Sequence, residues 1–192
     1  GFTGSTAVGK RIMAGASDTL KRVTLELGGK SANIVFDDCD IDAVAAAAPG
    51  AVFDNSGQDC CARSRVFVQR NAFDRFVERM IDAGAHIIVG DPMDPGTQMG
   101  PLFTRHHHER VSSFVTDITP TWQGSTPSGD GYWFPCTIIT HAPQGHRVVS
   151  DEVFGPIAVV IPFDDEDDVL RMANDSEYGL SGSVFTRDAE RA

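Results

Sequence analysis

Apolar and polar positions along the chain follow two periods, which predict strands and helices in alternation. Short apolar runs predict strands at 22–26, 32–36, 64–69, 155–161 and 181–185. Apolar residues at helical spacing predict helices after a glycine turn at Gly4, after Asp40, after Asn71, across 104–115 and from Asp165. This alternation predicts an α/β domain with a mostly parallel open sheet flanked by helices.

Proline and glycine mark the expected breaks between these elements. Pro49-Gly50 should interrupt or end the alanine-rich helix that Asp40 caps. The density of proline and glycine predicts a loop at 90–101 and a turn-rich stretch at 122–131.

Composition indicates a globular protein with an acidic surface. The 192 residues are 41% hydrophobic, enough for a core, and the formal net charge is -11. Without a basic stripe, this charge disfavours nucleic acid and anionic membranes as partners. The apolar stretches are too short to span a bilayer, and no signal-peptide pattern opens the chain. We therefore expect a soluble, cytoplasmic protein.

The opening segment contains an incomplete nucleotide-binding pattern. Gly4, Gly9 and Lys10 have the spacing of a phosphate-binding loop, but Arg11 stands where Ser or Thr would hold magnesium. A triphosphate site is thereby disfavoured. Two interpretations stay open, a helix N-terminus that receives a phosphate and an ordinary turn into a helix.

Cys60 and Cys61 are adjacent in the stretch DNSGQDCCARSR. Consecutive Cα atoms lie about 3.8 Å apart, closer than the roughly 4.4 to 6.8 Å of an unstrained disulfide, so a bridge between them is disfavoured. A buried inert thiol and a nucleophilic thiolate remain as alternatives. Asp59 would raise a thiol pKa if it faced the sulfur, whereas Arg63 or Arg65 would lower it.

The glutamates and histidines considered next can be explained without a catalytic or metal-binding role. Glu26 lies at the end of an apolar strand, where a solvated residue is the expectation. Glu152 is expected to be a loop acid beside Phe154. The histidines at 106–108 point about 100° apart on a helix and cannot all face one ion. A solvated helix face is the expectation there, and no metal site is predicted.

Six sequence blocks occur in one collinear order. They are FTGST at 2–6, LELGGKSANIVFDD at 25–38, GQDCCARSR at 57–65, MGPL at 99–102, EVFGP at 152–156 and ANDSEYGLSGSVFT at 173–186. Together they resemble the NAD(P)-dependent aldehyde dehydrogenase superfamily. The separation of Glu26 from Cys60 is similar to the family's spacing between general base and nucleophile.

The resemblance implies a domain organisation. Residues 1–28 would be the C-terminal remnant of a Rossmann-like NAD(P)-binding domain, and residues 29–192 an aldehyde-dehydrogenase-like catalytic domain that is incomplete at its C-terminus. The chain would then be a fragment, inactive alone. The full-length form would be a homodimer or homotetramer that takes a small-molecule aldehyde.

The resemblance also implies roles for individual residues. Cys60 would be the nucleophile, with its backbone N–H in the oxyanion site, and Glu26 the general base. Asp59 and Cys61 would line the substrate pocket. NAD or NADP would be held by Gly4, Ser5, Leu27, Glu152 and Phe154.

Two alternatives to a catalytic role remain at this point. One is a non-catalytic truncated subunit that pairs with full-length aldehyde dehydrogenase. The other, weaker, is a metal site built from Cys60, Cys61 and the histidine run.

Overall fold

The computed structural model describes residues 1–143 and 145–191. The helices are α1 (Thr6–Ser17), α2 (Ile41–Phe53), α3 (Phe73–Ala85), α4 (Arg105–Ser113), α5 (Arg147–Ser150) and α6 (Glu166–Asn174). The strands are β1 (Phe2–Thr3), β2 (Leu25–Glu26), β3 (Ala32–Val35), β4 (Arg65–Gln69), β5 (Trp122–Gln123), β6 (Thr137–Ile139), β7 (Ile157–Phe163) and β8 (Gly182–Phe185). Within the described ranges, no helix combines the length and the apolar character needed to cross a membrane.

Six of the strands form one sheet in the order β5-β6-β7-β4-β3-β8. Every neighbouring pair in it is parallel except β5 with β6. The prediction of a mostly parallel sheet flanked by helices is therefore confirmed. β1 and β2 form a separate two-stranded parallel sheet, pairing Phe2 with Leu25 and Thr3 with Glu26.

The central strands are buried on both faces, as expected for parallel strands covered by helices. Side chains alternate along β7, so Ala158 and Val160 pack against α2 and α3 while Ile157 and Val159 pack against α4 and α5. A third cluster beside α6 includes Phe67 of β4. The rigid centre of the sheet thus supports the loops that lead into β3, β4 and β7.

Two predicted helix boundaries are wrong. Helix α2 continues through Pro49 to Phe53, since Ala45, Pro49 and Phe53 are all buried and tertiary packing outweighs the lost hydrogen bond. Asn71 does not cap α3, which begins two residues later after a short 3-10 turn. The Asn71 amide instead donates to the Asp37 carboxylate at 3.3 Å.

Candidate active site

Three loops that precede neighbouring parallel strands meet at one edge of the sheet. They are the Gly28–Gly29–Lys30 segment before β3, the Cys60 segment before β4, and residues 152–156 before β7, which we call the strap. Parallel strands begin at the same edge, so segments far apart in sequence become neighbours there.

A cavity of about 520 Å³ opens between these loops and the start of α1. Seven of the nine predicted site residues line it: Gly4, Ser5, Leu27, Asp59, Cys60, Glu152 and Phe154. The other lining residues are Thr3, Gly28, Gln58, Phe103, His107 and Arg110. The remaining predicted residues, Glu26 and Cys61, are exposed and lie outside this lining.

The segment that carries Cys60 begins with three left-handed residues at the end of α2. Asn55, Ser56 and Gly57 have φ values of 52°, 59° and 66°. The Ser56 hydroxyl donates to the Gly100 carbonyl at 2.6 Å, which fixes this turn to a distant loop. A Cβ at Gly57 would collide with the Gly155 backbone of the strap. The turn therefore needs glycine both for its conformation and for contact with the strap.

Two further contacts define the position of Cys60. Gly29 packs directly on the Cys60 carbonyl, where any side chain would collide. The Gln58 side chain accepts from the Phe103 backbone N–H at 3.0 Å and donates to the Asn55 carbonyl at 3.1 Å. Cys60 is half-buried, has a free thiol and lines the cavity, and these contacts constrain its backbone.

Asp59 distinguishes the two adjacent cysteines. Its Oδ1 accepts from the Cys61 backbone N–H and from the Cys61 thiol, each at 3.1 Å. These bonds lower the pKa of Asp59, and the same carboxylate raises the pKa of the Cys61 thiol. The Arg65 guanidinium donates to the carbonyls of Lys30 and Ala173. At neutral pH, Asp59 is ionised and Cys61 is a protonated thiol.

Ligand atoms of Asp59, Cys60 and Cys61 lie within 4.8 Å of one another. In the described part of the chain this is the one such group, and the histidine run contributes no atom to it. Adjacent thiols and a carboxylate without histidine do not form the thiol and histidine site considered from the sequence.

The strap is bound to the loop before β3 through Glu152. Its Oε1 accepts from the Gly29 backbone N–H at 3.0 Å, and its carboxylate lies against Gly28, where a Cβ would collide with it. Phe154 has a left-handed backbone, with φ 56°. The absence of a side chain at Gly28 thus lets Glu152 reach across to this loop.

His107 and Arg110 of α4 are two of the six cavity-lining residues that were not predicted from the sequence. The prediction of a solvated histidine face is wrong for His107, which is 6% exposed, and for His108, which contacts the Trp133 carbonyl at 3.0 Å. His107 precedes buried Val111 by four positions and so shares its helix face, a signal present in the sequence. Burial lowers the pKa of His107, so its ring is neutral at neutral pH.

Helix α1 presents its N-terminus to the cavity. Ser5 caps the helix by accepting from the Val8 backbone N–H at 3.4 Å, and the Gly4 N–H donates to the Glu26 carbonyl at 3.0 Å. Gly9 packs on Leu27, where a Cβ would come within 2.6 Å of the leucine. The unpaired N–H groups of the first turn and the positive end of the helix dipole therefore lie at the cavity edge.

Lys30 is a buried cation beside the site. It is 1% exposed, and its Nζ has no hydrogen-bond partner among the described residues. Burial, followed by repulsion from Arg65, lowers its pKa to about 7, although Asp151 and Glu152 oppose the shift. An unpartnered buried ammonium destabilises the folded state whenever it is charged.

Replacing Lys30 by methionine should therefore stabilise the fold, by about 2 to 4 kcal/mol at pH 6. Between pH 7 and 10.5 the unfolded chain binds more protons than the folded one. Rising pH therefore reduces the free-energy cost of burying Lys30 in the parent protein. The gain should consequently shrink as pH rises through this window. Urea unfolding across that pH range measures it, with Lys21→Met as the exposed control. A gain in the free energy of unfolding that does not depend on pH would contradict the assignment of Lys30 as a buried cation with a lowered pKa.

The fold and the site together define an α/β domain with a cavity built around a free cysteine. A sequence profile described as the aldehyde dehydrogenase family matches residues 1–192. The chain belongs to the aldehyde dehydrogenase family.

Individual relatives agree with this assignment. The chain is 43% identical to a betaine aldehyde dehydrogenase of Brucella anthropi, over 99% of the chain and 41% of the relative. It is 39% identical to an aldehyde dehydrogenase of Agaricus bisporus, over 100% of the chain and 39% of the relative. The chain thus spans about 40% of the length of these relatives.

A solved structure shows the same fold. The betaine aldehyde dehydrogenase of Staphylococcus aureus in complex with NAD+ superimposes with a TM-score of 0.93 at 36% identity. The match covers 100% of this chain and 40% of that one.

Proposed function

We propose that this chain supplies the nucleophile, and part of the cofactor site, of an enzyme that oxidises an aldehyde to a carboxylic acid with NAD or NADP. The observation that carries the proposal is one cavity lined by Cys60, by Gly4 and Ser5 at the α1 N-terminus, and by Glu152 and Phe154. Family membership supports it, as does the NAD+ complex of the Staphylococcus aureus relative.

In this proposal Cys60 forms the covalent intermediates. Its thiolate attacks the aldehyde carbon to give a thiohemiacetal, and the Cys60 backbone N–H donates to the developing oxyanion. Because Gly29 and the turn at Asn55–Gly57 restrict this backbone, the donor is oriented before substrate arrives. Cys61 stays a thiol hydrogen-bonded to Asp59 and takes no covalent role.

The residues around the cavity fit a dinucleotide. Gly4 and Ser5 place the α1 N-terminus where a pyrophosphate would bind, and Glu152 offers a carboxylate to ribose hydroxyls. Phe154 and Leu27 supply apolar surface for a flat ring. When bound, the nicotinamide would accept a hydride from the substrate carbon, which leaves a thioester on Cys60.

Glu26 is proposed to remove a proton from the water that hydrolyses this thioester. Its carboxylate is exposed at the end of β2, one residue before the cavity-lining Leu27. The Glu26 backbone carbonyl holds the Gly4 N–H, so the residue also joins the proposed cofactor turn to the loop before β3.

The test is aldehyde-dependent formation of NADH or NADPH by the purified full-length protein that contains this chain, because the chain spans only about 40% of the length of its relatives. A panel of neutral and cationic aldehydes, each offered with NAD+ and with NADP+, should show turnover and an equivalent of carboxylic acid per reduced nucleotide. Turnover without acid formation, or no aldehyde-dependent turnover with either nucleotide, would overturn the proposal.

Asp59 leads us to propose a cationic aldehyde as the substrate class. It is an ionised carboxylate next to the nucleophile and lines the cavity. Opposite charge at this point would attract an amino or trimethylammonio aldehyde. The names of the Brucella anthropi and Staphylococcus aureus relatives, betaine aldehyde dehydrogenases, are consistent with it.

Asp59→Asn should lower kcat/KM for a cationic aldehyde up to about fivefold relative to a neutral aldehyde of equal length, the effect of one exposed charge pair. Asparagine keeps an acceptor oxygen for Cys61, so the loop is preserved. Steady-state kinetics on the two aldehydes measure the ratio, with Asp54→Asn, exposed on the same loop outside the cavity lining, as control. An unchanged ratio would reject Asp59 as the selectivity residue.

A further inference from the structure

Helix α4 holds three successive carbonyls of the strap. Arg110 donates through Nη2 to the Glu152 carbonyl and through Nη1 to the Val153 carbonyl, each at 2.7 Å. His107 Nε2 lies 2.6 Å from the Phe154 carbonyl. Because a carbonyl only accepts, the neutral His107 ring must carry its proton on Nε2.

This pattern depends on the left-handed backbone at Phe154. In an extended segment successive carbonyls point to opposite sides, so one helix face cannot bind three in a row. The positive φ of Phe154 turns the chain, and this backbone conformation costs free energy for a residue with a side chain. The hydrogen bonds from α4 oppose that cost.

Packing brings α4 close enough to make these bonds. Gly155 lies under Val111 of α4, where a Cβ would come within 2.7 Å of the valine side chain. The His107 ring makes a tilted contact with Phe103, with centroids 4.6 Å apart, and an edge-to-face contact with Phe154 at 5.9 Å. These two contacts restrict the direction of its single N–H donor.

We propose that His107 and Arg110 are positioning residues that set the strap so that Glu152 and Phe154 present their side chains to the cavity. They act through backbone carbonyls, and the contacts hold three residues in one conformation. The inference rests on the proposed function where it assigns a dinucleotide to Glu152 and Phe154. That α4 holds the strap is argued from the hydrogen bonds alone.

Paired variants test the functional part. His107→Leu removes the donor, whereas His107→Gln retains an amide N–H that can reach the Phe154 carbonyl. Arg110→Met removes both donors of the guanidinium, whereas Arg110→Lys keeps one. Loss of one such hydrogen bond should raise KM for the dinucleotide about tenfold, with KM for the aldehyde within about twofold of the parent. The glutamine and lysine variants should recover most of the loss.

Matched controls lie on the same helix. His106→Leu and Arg105→Met remove the same side-chain types from exposed positions and should leave the dinucleotide KM unchanged. Equal defects in His107→Gln and His107→Leu would overturn the inference, because donation to the Phe154 carbonyl would then not be the cause.

Hydrogen exchange tests whether α4 holds the strap, and it requires no measurement of turnover. Amides within 151–158 should exchange about tenfold faster in His107→Leu and Arg110→Met than in the parent or in His106→Leu. Unchanged exchange in both variants would overturn the inference. If the parent protein lacks aldehyde-dependent turnover, the proposed function fails while this measurement still decides whether α4 holds the strap.

Discussion

Cys60→Ala should lower kcat/KM for the aldehyde by about four orders of magnitude or more, whereas Cys61→Ala should stay within about threefold of the parent. The chain has four free cysteines, and three have an identified obstacle to forming a thiolate. Burial raises the pKa of Cys39 and brings that of Cys136 to about 12, while Asp59 raises that of Cys61. Cys60 is the cysteine that lines the cavity.

The two alanine variants form a matched pair, because the residues are adjacent and equal in size. Labelling the parent protein with an aldehyde-mimetic electrophile, followed by peptide mass mapping, locates the reactive thiol without steady-state turnover. Modification should fall on Cys60 and be slowed by bound dinucleotide. Labelling of Cys61 with Cys60 untouched would show that the nucleophile is misassigned.

The sheet was largely predictable because its signal is local. Apolar runs such as Val66–Val68 are buried on both faces and separated by amphipathic helices, a pattern that specifies parallel strands. Pro49 shows where local rules fail. Proline predicts a helix end, but the buried positions around it keep α2 helical through contacts that no short window of sequence contains.

The candidate site was predictable in a different way. Cys60 and Glu152 are ordinary residues by themselves, and the collinear blocks were needed to select them. Their meeting at one sheet edge depends on strand order, which the sequence does not display. The burial of His107 has a signal in its spacing from Val111, but the bonds that His107 and Arg110 make to main-chain carbonyls have none, because a carbonyl acceptor has no sequence signature. Lys30 escaped notice because its burial is a tertiary property.

Glu26→Gln should slow the turnover of the acyl enzyme, lowering kcat about 10² to 10⁴-fold, the typical contribution of a general base. Glutamine has nearly the same shape but cannot accept a proton. The pairing of Thr3 with Glu26 and the Gly4 bond to the Glu26 carbonyl use only backbone atoms, so the fold should persist. Hydride transfer precedes the affected step, so one equivalent of reduced nucleotide should appear rapidly before the slow phase.

Rapid-quench kinetics and intact mass decide between the possible bases. In Glu26→Gln the quenched protein should carry one acyl group on Cys60, and the exposed control Glu78→Gln should carry none. A variant with full kcat would exclude Glu26, and Glu152, the glutamate that lines the cavity, would become the candidate base. Loss of the rapid phase as well would mean that Glu26 also removes the Cys60 proton. The burst amplitude therefore separates activation of water from activation of the thiol, two roles that kcat alone would combine.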